Sequence, residues 1–274
     1  MAALARKTPR KLLRTIAAVA IALVATVGAA IPAAAKPSVQ AAVNYVALGD
    51  SYSSGVGAGS YGSSGACKRS TNAYPQLWAN AHSVSQFQFV ACSGARTGDV
   101  LNQAGALSAS TTFATVSVGG NDAGFSSVMT DCSLGSDQAC IDRVNQAKAY
   151  ATGTLPGLLD NVYATMKQKA PNARIVVLGY PRFYQIGGSC NAGLSDTKRS
   201  AINSGADTLA QVTSGRAGAA GLTFVDVRGA FTGHGICSSD WWLHSLTWPV
   251  EESYHPTVQG QKLGYYPGLN AVTG

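Results

Sequence analysis

The run Tyr45-Val46-Ala47-Leu48 is followed by Gly49-Asp50-Ser51-Tyr52-Ser53-Ser54-Gly55. An apolar stretch stops abruptly in small and turn-forming residues that cannot continue a strand. That break places the Ser51 hydroxyl at the carboxyl end of a buried strand. Similar short apolar runs recur along the chain. Gln86 to Ala91, Thr115 to Val118, Arg174 to Leu178 and Leu222 to Val227 read as strands, with the first spanning Val43 to Gly49. Between them lie segments with helical spacing: Tyr74 to His82, Cys140 to Lys169 with a break near Gly153 to Pro156, and Asp196 to Thr213. A last short helix is predicted from Thr257 onward. Strands alternating with helices imply right-handed βαβ units and a parallel sheet covered on both faces. Five strands fit the flavodoxin-like, doubly wound order 2-1-3-4-5, whose switch point lies between strands 1 and 3. Ser51 follows strand 1 and Asn121 follows strand 3, so topology alone predicts them on the two walls of one crevice.

The first residues are read apart from this fold. Arg6, Lys7, Arg10, Lys11 and Arg14 precede an apolar run from Ile16 to Ile31, and Ala33-Ala34-Ala35 offers a small-residue cleavage site. The run is shorter than the ~20 residues of a membrane span. The expectation is a secretory signal over residues 1–35, with cleavage as late as residue 41 also open. That segment holds five of the 20 Lys and Arg and none of the 13 Asp and Glu. The formal +7 of the whole chain therefore falls to +2 for residues 36–274. The basic balance belongs to the leader and gives no reason to expect a nucleic-acid partner. With no linker-like stretch and no internal repeat, residues 36–274 are expected to form one domain.

Six cysteines in an exported chain suggest three disulfides. Pairing in chain order, Cys67–Cys92, Cys132–Cys140 and Cys190–Cys237, would staple three successive loop regions. No Cys-x-x-Cys spacing occurs, which speaks against a structural zinc site.

Chemistry at the crevice could be built from these residues. Ser51 is a candidate nucleophile. Ser93-Gly94-Ala95 after strand 2 and Gly119-Gly120-Asn121-Asp122 after strand 3 are small-residue loops that let a carbonyl approach backbone N–H groups, and the Asn121 amide is a further donor. Asp50 and Asp122 suit turn organisation better than proton transfer. Of the four histidines, His82 fits a helix end, His234 a glycine-rich loop and His244 an aromatic segment. His255 precedes Pro256 and enters the last helix after the last strand, from where a base can reach the crevice.

Gly49-Asp50-Ser51-Tyr52, Gly94, Gly119-Gly120-Asn121-Asp122 and His255-Pro256 occur in the order of the four motif blocks of the SGNH (GDSL-type) hydrolases. The chain resembles this family over essentially all of residues 36–274, in the cysteine-rich form of secreted actinomycete lipases and phospholipases A1. The resemblance implies a three-layer α/β/α sandwich. It also implies Ser51 as nucleophile, His255 as base, and the Ser51 N–H, Gly94 and Asn121 as the oxyanion hole. Three residues before the histidine the family usually has aspartate. Here that position is Glu252, so the partner of the His255 ring is either this carboxylate or the backbone carbonyl of Ser253, with the carbonyl favoured. The Gly-x-Ser-x-Gly elbow of the α/β-hydrolase fold is missing at Ser51.

The implied activity is hydrolysis of lipid carboxylic esters through an acyl-serine, by a secreted monomer that meets lipid interfaces transiently and needs neither metal nor cofactor. A carbohydrate acetyl esterase and an inactive binding module of the same fold are the alternatives. Trp241, Trp242, Leu243, Leu246 and Trp248 could form an apolar rim near the His255 loop or pack in the core.

Overall fold

The computed structural model describes residues 42–190 and 194–274, so the expected signal segment lies outside the described residues. In chain order the elements are β1 Val43–Ala47, α1 Ser51–Ser54, α2 Tyr74–Ala81, β2 Val84–Phe89, α3 Thr97–Gln103, β3 Phe113–Val116, α4 Phe125–Leu134, α5 Asp137–Gly153, α6 Leu155–Lys169, β4 Arg174–Leu178, α7 Asp196–Ala219, β5 Thr223–Val225 and α8 Tyr266–Thr273. A turn of π-helix over Gly260–Tyr265 runs into α8.

All neighbouring strands pair in parallel, in the order β2-β1-β3-β4-β5. Side-chain alternation divides the core into two layers. Tyr45, Phe113, Val176 and Leu178 point to one face, packed with Trp78 of α2 and Leu269 of α8. Val46, Ala114, Val116, Ile175 and Val177 point to the other, packed with Val100 of α3 and Leu159, Val162 and Met166 of α6. Both faces of the central strands are buried, which is why β4 reads as an unbroken apolar run. Each large side chain enclosed this way contributes about 1.5–3 kcal/mol.

The doubly wound sheet is therefore as anticipated, with local differences. β3 begins and ends two residues earlier than its apolar composition suggested. Ser117 and Val118 are buried beyond the strand end, and Ser117 O accepts from Asp50 N at 3.0 Å. They form the extended approach to the Gly119-Gly120 turn rather than a paired strand. Likewise β2 starts at Val84. The break near Gly153 to Pro156 is real: α5 ends at Gly153, and Pro156 sits in the first turn of α6, where a missing N–H costs nothing. Disulfides join Cys67 to Cys92, Cys132 to Cys140 and Cys190 to Cys237. The second ties α4 to α5, and the first lies two residues ahead of Gly94.

Candidate active site

Ser51 is the first residue of α1, and Asp50 caps that helix. Asp50 Oδ1 accepts from Tyr52 N at 3.0 Å and from Ser117 Oγ at 2.7 Å, while Oδ2 accepts from the Tyr180 hydroxyl. Gly49 approaches at φ +124°, and a Cβ there would lie 2.5 Å from Ser117 O. Only glycine lets β1 and β3 close at this point. Gln103 of α3 clamps the Gly49 peptide from both sides: its Oε1 accepts from Gly49 N at 2.7 Å and its Nε2 donates to Gly49 O at 2.9 Å. The short helix is thus fixed before any substrate arrives.

His255 Nε2 lies 2.7 Å from Ser51 Oγ. Its Nδ1 lies 3.0 Å from Ser253 O, close enough to donate to that carbonyl. The Glu252 carboxylate makes no bond to the ring. Its Oε1 accepts instead from the Tyr61 hydroxyl at 2.7 Å, and Tyr61 in turn accepts from Gly57 N at 2.9 Å. The reason is backbone geometry. Glu252 closes a 3₁₀ turn, and Tyr254 takes a left-handed φ of +68°. This directs the Ser253 carbonyl, not the glutamate, to the ring. The Tyr52 hydroxyl donates to Tyr254 O at 2.6 Å, and its ring stacks obliquely near that of His255, 5.3 Å between centroids.

Burial pushes the His255 pKa down to about 4, against the smaller upward pull of the Ser253 carbonyl. The ring is therefore neutral at pH 7 and able to accept a proton. Burial moves Asp50 the other way, up to about 6, with the bonds from Tyr180, Ser117 and Tyr52 opposing it.

The third wall comes from the turns after β2 and β3. Gly94 adopts φ +79°. The Asn121 side chain donates to Ala95 O at 3.0 Å, which locks its amide across the crevice. Asp122 accepts from Thr97 N at 3.1 Å and from Thr97 Oγ1 at 2.6 Å, tying the two loops together. Ser51, Gly94, Gly120, Asn121, Tyr180 and His255 all border one cavity of about 540 Å³. Away from these polar groups the cavity runs between α4, α5 and α7 and is lined by Phe125, Val128, Met129, Val144, Ile202 and Leu209.

The other histidines are engaged elsewhere. His82 stacks on Trp78, His234 stacks on Trp242, and His244 Nε2 contacts Gly57 O at 2.8 Å. The tryptophan-rich segment divides: Leu243 is buried in the core, whereas Leu246 borders the cavity mouth. Among the described residues, no group of three His, Cys, Asp or Glu side chains could hold a metal ion. Gln103, Tyr180 and Tyr61 carry no local sequence signal for these contacts, which span 54, 130 and 191 residues.

Residues 47–263 match the model of the GDSL-like lipase/acylhydrolase family. The chain belongs to this family. It is 59% identical over 251 residues to Lipase 1 of Streptomyces coelicolor, covering 90% of this chain and 92% of that one. Among solved structures, the phospholipase A1 from Streptomyces albidoflavus NA297 is 58% identical with a TM-score of 0.82, over 84% of this chain and 99% of that chain. The extracellular lipase from Streptomyces rimosus is 56% identical with a TM-score of 0.83, over 85% of this chain and 100% of that chain.

Proposed function

We propose that this protein is a secreted, monomeric lipid-ester hydrolase acting through a Ser51–His255 dyad. The observation that carries the reading is the 2.7 Å contact between Ser51 Oγ and a neutral, half-buried His255, at the polar end of an apolar cavity. Relatives named lipase and phospholipase A1 support the substrate class, and a relative described as extracellular supports export.

His255 Nε2 takes the Ser51 proton as Oγ attacks the ester carbonyl. The imidazolium that forms is held by its Nδ1–H bond to Ser253 O. Charge growing on the carbonyl oxygen meets the N–H groups of Ser51 and Gly94 and the Asn121 side chain, donors fixed in advance by the Asp50, Gln103 and Ala95 contacts. Each such donor is worth about 3–4 kcal/mol in the transition state. His255 then protonates the leaving alcohol, and water repeats the cycle on the acyl-serine. Protein groups carry every proton and charge in this sequence, so it calls for no cofactor. Glu252, engaged by Tyr61, serves the loop rather than the base.

The apolar depth of the cavity favours a fatty acyl chain over the acetyl group of a carbohydrate ester. The test is hydrolysis of p-nitrophenyl esters from short to long chain, with phosphatidylcholine alongside, by the wild type and Ser51→Ala. Activity in the wild type that vanishes in Ser51→Ala supports the reading. Activity that survives names the wrong nucleophile. A folded wild-type protein inert on all of these, yet able to bind lipid, would favour a binding module.

A further inference from the structure

The mouth of the cavity is bordered by apolar side chains that nothing in the described structure covers. Leu134 at the end of α4 is 84% exposed, Leu246 65% and Val250 57%, and all three border the cavity. Trp248, between the last two in the chain, is 87% exposed. The elements that carry them meet at the site, because Ser133 Oγ lies 3.3 Å from the hydroxyl of Tyr254. Large apolar side chains gathered this exposed at a cavity mouth mark a surface that meets something else. Two pairs of charges beside them neutralise each other, Lys68 with Glu251 at 2.7 Å and Arg143 with Asp131 of α4 at 3.6 Å, which leaves the Glu252 carboxylate, bonded to the Tyr61 hydroxyl. The rim therefore has little net charge with which to attract an ionic partner.

We propose that this rim docks the protein on the surface of aggregated lipid, the four side chains entering the interfacial layer around the open cavity. The inference rests on the lipid-ester reading of the site. It commits to lipid because of where the cavity opens. A protein partner, or a second copy, seated on the rim would close the entrance to Ser51. A lipid surface seated there presents acyl chains to an apolar cavity that needs them. Long-chain esters are scarce as monomers in water, since each CH₂ favours the aggregate by about 0.8 kcal/mol. An enzyme taking them from the aggregate gains most when its entrance already lies in that layer. Tryptophan suits this boundary, with an apolar ring and one polar N–H.

The experiment uses the full chain carrying Ser51→Ala, so that vesicles stay intact, and co-sedimentation with phosphatidylcholine vesicles. The expected result is binding that persists in high salt, with a blue shift of tryptophan emission. Both should be lost when Leu134, Leu246, Trp248 and Val250 are all replaced by serine, with partitioning reduced at least about tenfold. In the catalytically intact background, Trp248→Ser alone should lower hydrolysis of vesicle phosphatidylcholine while leaving kcat/KM on soluble p-nitrophenyl acetate unchanged. Equal sedimentation of the serine variant overturns the proposal. So does binding confined to anionic vesicles at low salt, which would mean attraction by charge. A dimer in sedimentation velocity that the serine variant abolishes would assign the rim to a second copy instead. Failure of the wild type to hydrolyse any ester would remove the proposed function and leave the sedimentation result to be read by itself.

Discussion

Replacing Glu252 by glutamine should leave catalysis nearly intact. The Glu252 Oε1 accepts from Tyr61 at 2.7 Å, and the His255 Nδ1 faces Ser253 O at 3.0 Å. Where a carboxylate does support the imidazolium of such a base, amide replacement costs about 10⁴ in kcat, close to 5.5 kcal/mol. A glutamine here still presents an oxygen to Tyr61, so the change amounts to one charge-assisted hydrogen bond made neutral, about 1 kcal/mol of loop stability. The expected loss in kcat/KM is no more than about threefold. The pH profile gives a second reading of the same contact. A carboxylate beside the ring would raise its pKa, whereas burial with only a carbonyl partner pushes it from the ordinary 6.5 down to about 4. Both the wild type and Glu252→Gln should therefore show an acid limb of kcat/KM well below 6.5. The assay is p-nitrophenyl butyrate hydrolysis followed from about pH 3.5 to 9. A loss near a thousandfold in the variant, or a wild-type limb at or above 6.5 that drops in the variant, would refute the reasoning.

Other outcomes follow from the same geometry. Asn121→Ala should lower kcat by about 10²–10³ with little change in KM, because the amide serves the transition state; a rise in KM alone would count against an oxyanion role. Tyr52→Phe frees the Tyr254 carbonyl and should cost about 1–2 kcal/mol, or about 2–8 °C in Tm, and lower kcat through a displaced His255; unchanged Tm and kcat would mean the bond holds nothing. His255 is protonated more readily unfolded than folded, so its contribution to stability is present above pH 6.5 and lost as pH falls through about 4. The stability of His255→Ala minus that of wild type should then rise by up to about 3 kcal/mol between pH 7 and pH 4 in urea titrations, and a flat difference would show that the folded ring is not depressed. Filling the cavity with Ala147→Phe should depress long-chain ester hydrolysis more than butyrate hydrolysis; equal loss on both would place the acyl chain elsewhere.

Much of this molecule was legible from residue order, and the reasons are local. Strand runs such as Ile175-Val176-Val177-Leu178 declare themselves because both faces of the sheet are covered. Ser51 and Asn121 could be placed on facing walls because both follow strands flanking the switch point. What stayed hidden is carried by side chains meeting far along the chain. Gln103 reads as an ordinary polar residue at the end of a short helix, and its double clamp on Gly49 exists only once β1 and α3 are packed. α3 itself is only seven residues long, and in α4 the helical spacing of Phe125, Val128, Met129 and Cys132 is obscured by the Ser, Thr and Asp residues between and beside them. The choice between Glu252 and Ser253 depended on the left-handed turn at Tyr254, a residue type that does not advertise that conformation.

Ser51 and His255 meet across 204 residues of chain. One follows the first strand of the sheet, the other comes after the last, and four parallel crossovers must be complete before they can touch. Loop closure on this scale comes late in folding. Activity therefore works as a timer: a chain still emerging from the ribosome carries its nucleophile without its base. A protein that attacks lipid esters is in this way inert until its assembly is finished.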